Sequence, residues 1–483
     1  MLMLRRFALI FVLFAAAAVR IGALVLFPDI FAFDQTGTIH GSAAYDTYAV
    51  NLIDTGVYGM TPGVADAMIP PLYSYALMGA YTVAGRSAWT VGGLHIALDL
   101  LSLLLLYAIV GRVIRGAVRT AAEADWVAIL ACAGAAFYPY LIFQNLTVID
   151  TPFFMVLMHA FILACVLLRD QPRFDTATVA LAIGAGLLLG VATLTRPILP
   201  VLAIGIAVWF LFRLSLGETI VRLAIVAIVA ALTLVPWIVR NQTVYGEFVP
   251  MSVTSGANFW QGNSPYTLPY LQAGYDVQWT SPDALTAPDP NSPAADRERF
   301  ALALAFLRDN PDLIPDLIWT KFRVHWSIDI APRLNPTAGE LPRLDYQGDA
   351  IAGVDPSGEL TIGGLPPGDA VDAYSTPLFD QIGRLIHRIY FGAALLLAIG
   401  GLIVSLRGWR DASLLAIVQI AMTVVYVLFH PSTRYRAPTD PLLFALSALA
   451  VVTVVGWAAR RLSRPRYGAP SSLIDSARSR STS

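Results

Sequence analysis

Ten separate stretches of this chain, each between 18 and 24 residues long, are apolar almost without interruption: roughly 7–27, 88–111, 126–144, 148–168, 177–194, 198–215, 222–239, 386–406, 412–430 and 439–459. A helix needs about 20 residues to cross a hydrocarbon core of about 30 Å. Inside that core no water satisfies the backbone, so each crossing segment must bond its own N–H and C=O groups. The pattern therefore predicts an all-α polytopic membrane protein with about 10 transmembrane helices. The composition agrees, because charged residues make up only 13% of the 483, about half of the roughly 25% usual in soluble domains. A net charge of −1 gives no basic footprint for nucleic acid. Cys132 and Cys165 both fall inside apolar runs and supply neither a disulfide framework nor a zinc site. Every basic residue but Lys321 is arginine, which reads as a bias of genome composition. The first run follows Arg5 and Arg6, but it is too long for a signal-peptide core and lacks a small-residue cleavage site before Pro28. It reads as a retained helix.

Arginine placement sets the expected orientation. With the N-terminus inside, the inner loops hold Arg112, Arg115 and Arg119, then Arg169 and Arg173, then Arg213, then Arg407 and Arg410, and the tail holds Arg460, Arg461, Arg464 and Arg466. An even number of spans puts both termini in the cytoplasm, so the chain is expected in the cytoplasmic (inner) membrane. Residues 1–240 form the first transmembrane module, with the external loop 28–87 inside it. Residues 241–385 are long enough to make a small mixed periplasmic or extracellular domain. Residues 386–461 carry the C-terminal transmembrane helices, and the Ser- and Arg-rich 462–483 reads as a disordered cytoplasmic tail.

Five arginines break this pattern by lying toward the external face: Arg20, Arg196, Arg240, Arg434 and Arg436. Each could snorkel to the headgroups, yet their shared leaflet points to a shared anion. A guanidinium fork suits phosphate, which it grips through two parallel hydrogen bonds. Carboxylates accompany them. Asp150 precedes Thr151-Pro152 and fits an ordinary helix N-cap as well as a functional role. Asp99 lies one turn beyond His95, a spacing that fits a buried hydrogen-bonded pair or a proton relay. In the first outer segment, Tyr45, Tyr48, Ala49, Leu52 and Ile53 recur at helical spacing around Asp46. This predicts an amphipathic helix along the membrane surface, stopped by Gly56. Pro70-Pro71 then opens a short apolar helix. No P-loop, dinucleotide fingerprint, HExxH or GxSxG is present, and the six histidines have no metal-ligand spacing, so neither cofactor nor metal is expected.

In this order, the segments resemble the glycosyltransferase C superfamily (GT-C), in particular its protein O-mannosyltransferase and lipid A aminoarabinose transferase branch. The stretches carrying the resemblance are Tyr45…Gly56 with Pro70-Pro71-Leu72, Tyr138-Pro139…Asn145…Asp150-Thr-Pro-Phe, Gly190…Arg196-Pro197, Pro236-Trp237…Arg240-Asn241, Gly256-Ala-Asn258-Phe-Trp260-Gln-Gly262-Asn263 and Arg434-Tyr435-Arg436-Ala-Pro438-Thr-Asp440-Pro441. The resemblance implies a GT-C-like fold and transfer of a sugar from a polyprenyl-phosphate carrier to an acceptor hydroxyl at the outer face. The acceptor class, whether glycan, lipid or protein, is not specified. It implies that arginines (Arg20, Arg196, Arg240, Arg434, Arg436) hold the lipid phosphate, while Tyr45, Asn258, Trp260 and Asn263 line the substrates. A first-loop aspartate would act as general base. Such an acid usually sits three or four residues before the tyrosine, but Gly41 and Ser42 stand there in this chain. Asp46, one turn onward on a pinned helix, is the expected base, with Asp34 as a further candidate and Asp150 orienting it or the acceptor. Two alternatives carry over: a catalytically silent relative, or a transporter or flippase, either binding polyprenyl-phosphate-linked glycans.

The arginine asymmetry makes the topology testable. Reporter fusions at about residues 60 and 300 are expected to read outside, and fusions at about 118 and 409 inside. An outer segment reading inside would remove the basis for an external site.

Overall fold

In the computed structural model, the described residues are 2–27, 42–278, 280–282, 284–332, 353–354, 360–361 and 377–462. Asp34 and the tail from 463 onward lie outside them. The first half of the chain gives α1 (Leu2–Leu26), α2 (Ser42–Thr55), α3 (Leu72–Ala84), α4 (Ala88–Val113), α5 (Ala121–Ala136), α6 (Pro139–Gln144), α7 (Thr151–Arg169), α8 (Thr176–Thr193), α9 (Leu199–Phe210) and α10 (Leu216–Tyr245). After α10 come α11 (Ser255–Gly262), α12 (Thr267–Ala273), α13 (Pro293–Asp309) and α14 (Ile314–His325), then a two-residue strand pair, β1 (Gly353–Val354) and β2 (Leu360–Thr361). The chain ends in α15 (Pro377–Ser405), α16 (Trp409–Leu428), α17 (Thr433–Arg436) and α18 (Asp440–Leu462).

A helix occupies each of the ten predicted runs. Seven helical stretches are long and apolar enough to cross a membrane, one of them, Gln381–Leu428, spanning both α15 and α16. The fold is that of an all-α, multi-pass membrane protein. Two runs differ from expectation. The 126–144 run breaks at Tyr138-Pro139, because proline cannot donate into a continuing helix; α5 ends at Ala136 and α6 begins afresh at Pro139. The 198–215 run yields only the 12 residues of α9.

Small residues set the closest helix approach. Gly186 and Gly190, four apart on α8, face α10, and a Cβ at Gly186 would come within 2.7 Å of Val226 O. Only glycine allows the two backbones this contact. Arginine-rich loops meet at one end of the bundle: Arg169 donates to Arg410 O (2.6 Å) and to Asp411 (3.2 Å), and Arg460 reaches Glu123 (3.5 Å). The opposite end gathers α2, α3 and the loops after α5, α8, α10 and α16.

Charge inside the bundle is paired. Arg20 on α1 donates to Asp99 Oδ2 (2.8 Å) and to Ala136 O (2.7 Å), and Asn145 Nδ2 donates to the same Asp99 oxygen (2.7 Å). His95 instead meets the Tyr73 hydroxyl (2.6 Å). His95 and Asp99 therefore do not form the pair their spacing suggested, because Arg20 offers the carboxylate a full counter-charge. Removing one member of a buried pair strands the other, a loss of about 3–5 kcal/mol. Arg20→Leu is accordingly expected to lower the unfolding midpoint sharply, and Arg20→Leu combined with Asp99→Leu to recover part of it, as measured by thermal unfolding in detergent.

Candidate functional site

At the end of the bundle away from the arginine-rich loops, α2 ends where Gly56 takes φ 71°. Its apolar residues Tyr45, Tyr48, Ala49 and Leu52 are buried within the protein and packed on α3 and Trp237. The amphipathic helix is real, but its apolar face is turned into the fold and not onto the membrane surface. Tyr45 sets its ring edge-on to Tyr73 at 5.1 Å. Asp46 accepts from Tyr81 Oη (2.8 Å) and from Arg86 through Nε (3.0 Å) and Nη2 (2.6 Å). This clamp ties α2 to the end of α3 and the start of α4.

Asp150 and Arg196 form the second clamp. Arg196 Nε and Nη2 each donate to one carboxylate oxygen at 2.6 Å, and Nη2 also reaches Thr151 Oγ1 at 2.9 Å. The residues are 2% and 7% exposed, so the pair is largely desolvated and strong. Burial would raise the Asp150 carboxyl, but the Arg196 guanidinium overrides it and holds the group below the usual carboxylate range. Asp150 sits at the N-cap position of α7 yet makes no side-chain capping bond. The capping reading gives way because Arg196 takes both oxygens.

Around this clamp the remaining groups converge. Asp150, Arg434 and Arg196 all act electrostatically on the Tyr45 hydroxyl. Tyr435 stacks on Tyr426 at 4.9 Å, and His430 Nε2 meets the Tyr435 hydroxyl at 3.2 Å. Arg434 makes no hydrogen bond or ion pair among the described residues. Its Nε and Arg196 Nη1 are buried N–H groups with no partner there. A buried unmatched donor costs about 1–3 kcal/mol, more when charged. Two such donors on neighbouring guanidinium groups make a site that is electrostatically incomplete without an anion.

The other candidates are held elsewhere. Arg20 belongs to the Asp99 pair inside the bundle. Arg240 donates to Asp66 O and Tyr58 O (both 2.6 Å) and lies over the Trp237 ring at 4.8 Å, which fastens the first outer loop. Asp66 in turn accepts from the Tyr48 hydroxyl and from Met60 N (2.7 Å). Arg436 is fully buried, bonded to His325 O (2.8 Å), Ser327 O (2.9 Å) and Asp440 (3.2 Å). The 256–263 stretch docks the post-α10 segment on α16: Asn263 Nδ2 donates to Leu428 O (2.8 Å), and His430 meets Asn258 O (3.4 Å). Trp260 is buried with its Nε1 unpartnered among the described residues. Lys321 donates to Gly262 O and Asn263 Oδ1 (both 2.9 Å), and burial pushes its amine down to about 7. Sequence reasoning missed Arg86, Lys321, His430 and Asp276. Only Lys321, as the sole lysine, stood out. Among the described residues no three His, Cys, Asp or Glu side chains gather as metal ligands.

No protein-family model matches this sequence, and no curated protein matches it. Solved structures do. The archaeal oligosaccharyltransferase AglB from Archaeoglobus fulgidus, in complex with an inhibitory peptide and a dolichol-phosphate, aligns at 15% identity and TM-score 0.52 over 96% of this chain and 52% of its own. The oligosaccharyltransferase from the same organism in its apo form aligns at 14% identity and TM-score 0.50 over 94% and 51%. ArnT from Cupriavidus metallidurans bound to undecaprenyl phosphate aligns at 14% identity and TM-score 0.38 over 93% and 78%. The chain spans about half the length of the archaeal enzyme. The chain shares its fold with about half of this archaeal oligosaccharyltransferase.

Because Arg240 spans two loop carbonyls, Arg240→Ala is expected to release residues 58–68. Hydrogen exchange there should rise by about tenfold or more, matching a loss of about 1.5–3 kcal/mol for charged hydrogen bonds. Unchanged exchange would remove its clamping role.

Proposed function

We propose that this chain is an integral membrane glycosyltransferase that moves a sugar from a polyprenyl-phosphate-linked donor to an acceptor hydroxyl at the outer face of the cytoplasmic membrane. The observation that carries the reading is the pair of unmatched buried guanidinium donors on Arg434 and Arg196, set on a GT-C fold at the end opposite the arginine-rich loops. Phosphate is the anion whose oxygens such forks match. The archaeal protein sharing the fold was solved with dolichol-phosphate bound, which supports a lipid phosphate as the occupant. In glycosyl transfer the phosphate is the leaving group, and fixed cations stabilise the charge that grows on it as the bond to the sugar breaks. The division of labour follows from the partners. Asp150 holds the Arg196 fork in place, and Arg434, which makes no ion pair among the described residues, takes most of the ligand's charge. Tyr45 and the 256–263 stretch border the space for sugar and acceptor.

One observation favours the silent-relative alternative. Asp46 and Asp150, the carboxylates expected to serve the acceptor, are each gripped by an arginine. A protein that only binds lipid-linked glycans would retain lipid-phosphate affinity without releasing sugar from any donor.

Arg434→Ala is the cleaner test, because Arg196→Ala would also strand Asp150. Losing a charge-assisted fork is worth about 1.5–3 kcal/mol, so undecaprenyl phosphate affinity is expected to fall by roughly 10- to 150-fold. The unfolding midpoint should hold, since Arg434 makes no hydrogen bond or ion pair among the described residues that its loss would break. Arg434→Lys should restore part of the affinity, supplying charge without the fork. Parental binding of undecaprenyl phosphate by Arg434→Ala, measured by native mass spectrometry, would overturn the assignment.

A further inference from the structure

Six aspartates are buried among the described residues: Asp46, Asp99, Asp150, Asp276, Asp296 and Asp440. Four are locked to an arginine: Asp46 to Arg86, Asp99 to Arg20, Asp150 to Arg196 and Asp440 to Arg436. Asp296 is saturated differently, accepting from Ser255 Oγ (2.8 Å), Gly256 N (2.8 Å) and Ala257 N (3.0 Å). Asp276 alone has no such hold. It follows α12 directly, and its side chain accepts from the backbone N–H groups of Gln278 (3.0 Å) and Val277, with no arginine bonded to it among the described residues.

The place of Asp276 is as informative as its lack of partners. Arg434 acts on it electrostatically. Asp276, Arg434 and Arg196 in turn act together on the hydroxyls of Tyr140 and Tyr435. Among the described residues the same patch therefore holds the two guanidinium groups with unmatched donors and a buried carboxylate that no arginine engages. Lys321, on the α14 helix that packs against α12, does not neutralise it, because its ammonium is committed to Gly262 O and Asn263 Oδ1.

We infer that Asp276 is the group that takes the acceptor's proton. The inference rests on the glycosyltransferase reading above. The acceptor oxygen attacks the anomeric carbon, and the carbon–oxygen bond to the phosphate breaks. The electron pair leaves on the phosphate, facing Arg434 and Arg196, and the hydroxyl proton passes to a carboxylate oxygen of Asp276. When the glycosylated product leaves, the proton returns to water. A base must have a free lone pair in a fixed position and a pKa close to the working pH. Asp46 and Asp150, the arginine-locked carboxylates first expected to serve the acceptor, have both oxygens engaged by their guanidinium partners. Burial raises the Asp276 carboxyl to about 6, while Gln278 N–H and Arg434 restrain it. The base form is then present above about pH 6 and lost below it.

The test uses the full-length protein in nanodiscs with a panel of undecaprenyl-phosphoryl monosaccharides, read as release of undecaprenyl phosphate. Asp276→Asn is expected to lower turnover by about 10²–10⁴ while undecaprenyl phosphate still binds with parental affinity. The acid limb near pH 6 in the parent's rate profile should disappear from the residual activity, and added formate should restore turnover to Asp276→Ala. Near-parental turnover by Asp276→Asn overturns the inference, and a matching collapse in Asp46→Asn would move the base to the first loop. Loss of both turnover and lipid-phosphate binding would also overturn it, making Asp276 part of the donor site. A parent that binds undecaprenyl phosphate but releases it from no donor would overturn the glycosyltransferase reading itself.

Discussion

A guanidinium placed among hydrocarbon must find a counter-charge or a set of carbonyls, and that requirement organises this molecule. Arg20 reaches across to Asp99 on α4, Arg196 back to Asp150 at the head of α7, Arg436 down to Asp440, and Arg240 over to the carbonyls of the first outer loop. Except for Arg436 with Asp440, four residues on, each bond joins segments that sequence keeps far apart. Together they fix which helix ends meet away from the arginine-rich loops. Arg434 is the exception, with no hydrogen bond or ion pair among the described residues, and on the proposed reading it marks the place where the ligand's anion binds.

The spans were legible because hydrophobicity over about 20 residues is a local property that no tertiary partner can reverse. So were the α2 helix with its Gly56 stop and the proline-started α3, both written in short-range pattern. The site was legible as a set of residue types and not as a set of pairings. Nothing around Asp150 announces Arg196 forty-six positions on, so the N-cap reading was as good until the carboxylate was seen in the fork. Arg240 looked equivalent to Arg434 from sequence. The difference is the carbonyls of Tyr58 and Asp66, which only the folded loop brings into reach. Asp276 had no local signal at all, since a carboxylate is notable here for the partners it lacks.

The two arginine–aspartate clamps also explain how the candidate site can be precise on a scaffold of loops. Loops are the most mobile parts of a fold, yet here their charged residues are tied at short distance inside a poorly solvated region, where each ion pair is worth more than in water. Asp46 with Arg86 fixes α2, Arg240 fixes the loop that follows, and Asp150 fixes Arg196. First-loop geometry is thus obtained from ion pairs added to the apolar packing of α2 on α3 and Trp237.

Lys321 gives the segment after α10 an unusual chemical property. It is the chain's sole lysine, 2% exposed, and anchored to the very stretch that seats the post-α10 segment on α16. The protein therefore presents no freely accessible side-chain amine while that segment is seated. Acylating reagents would meet Lys321 only as fast as α14 lifts away, so the rate of amine modification becomes a clock for local opening at a single known position.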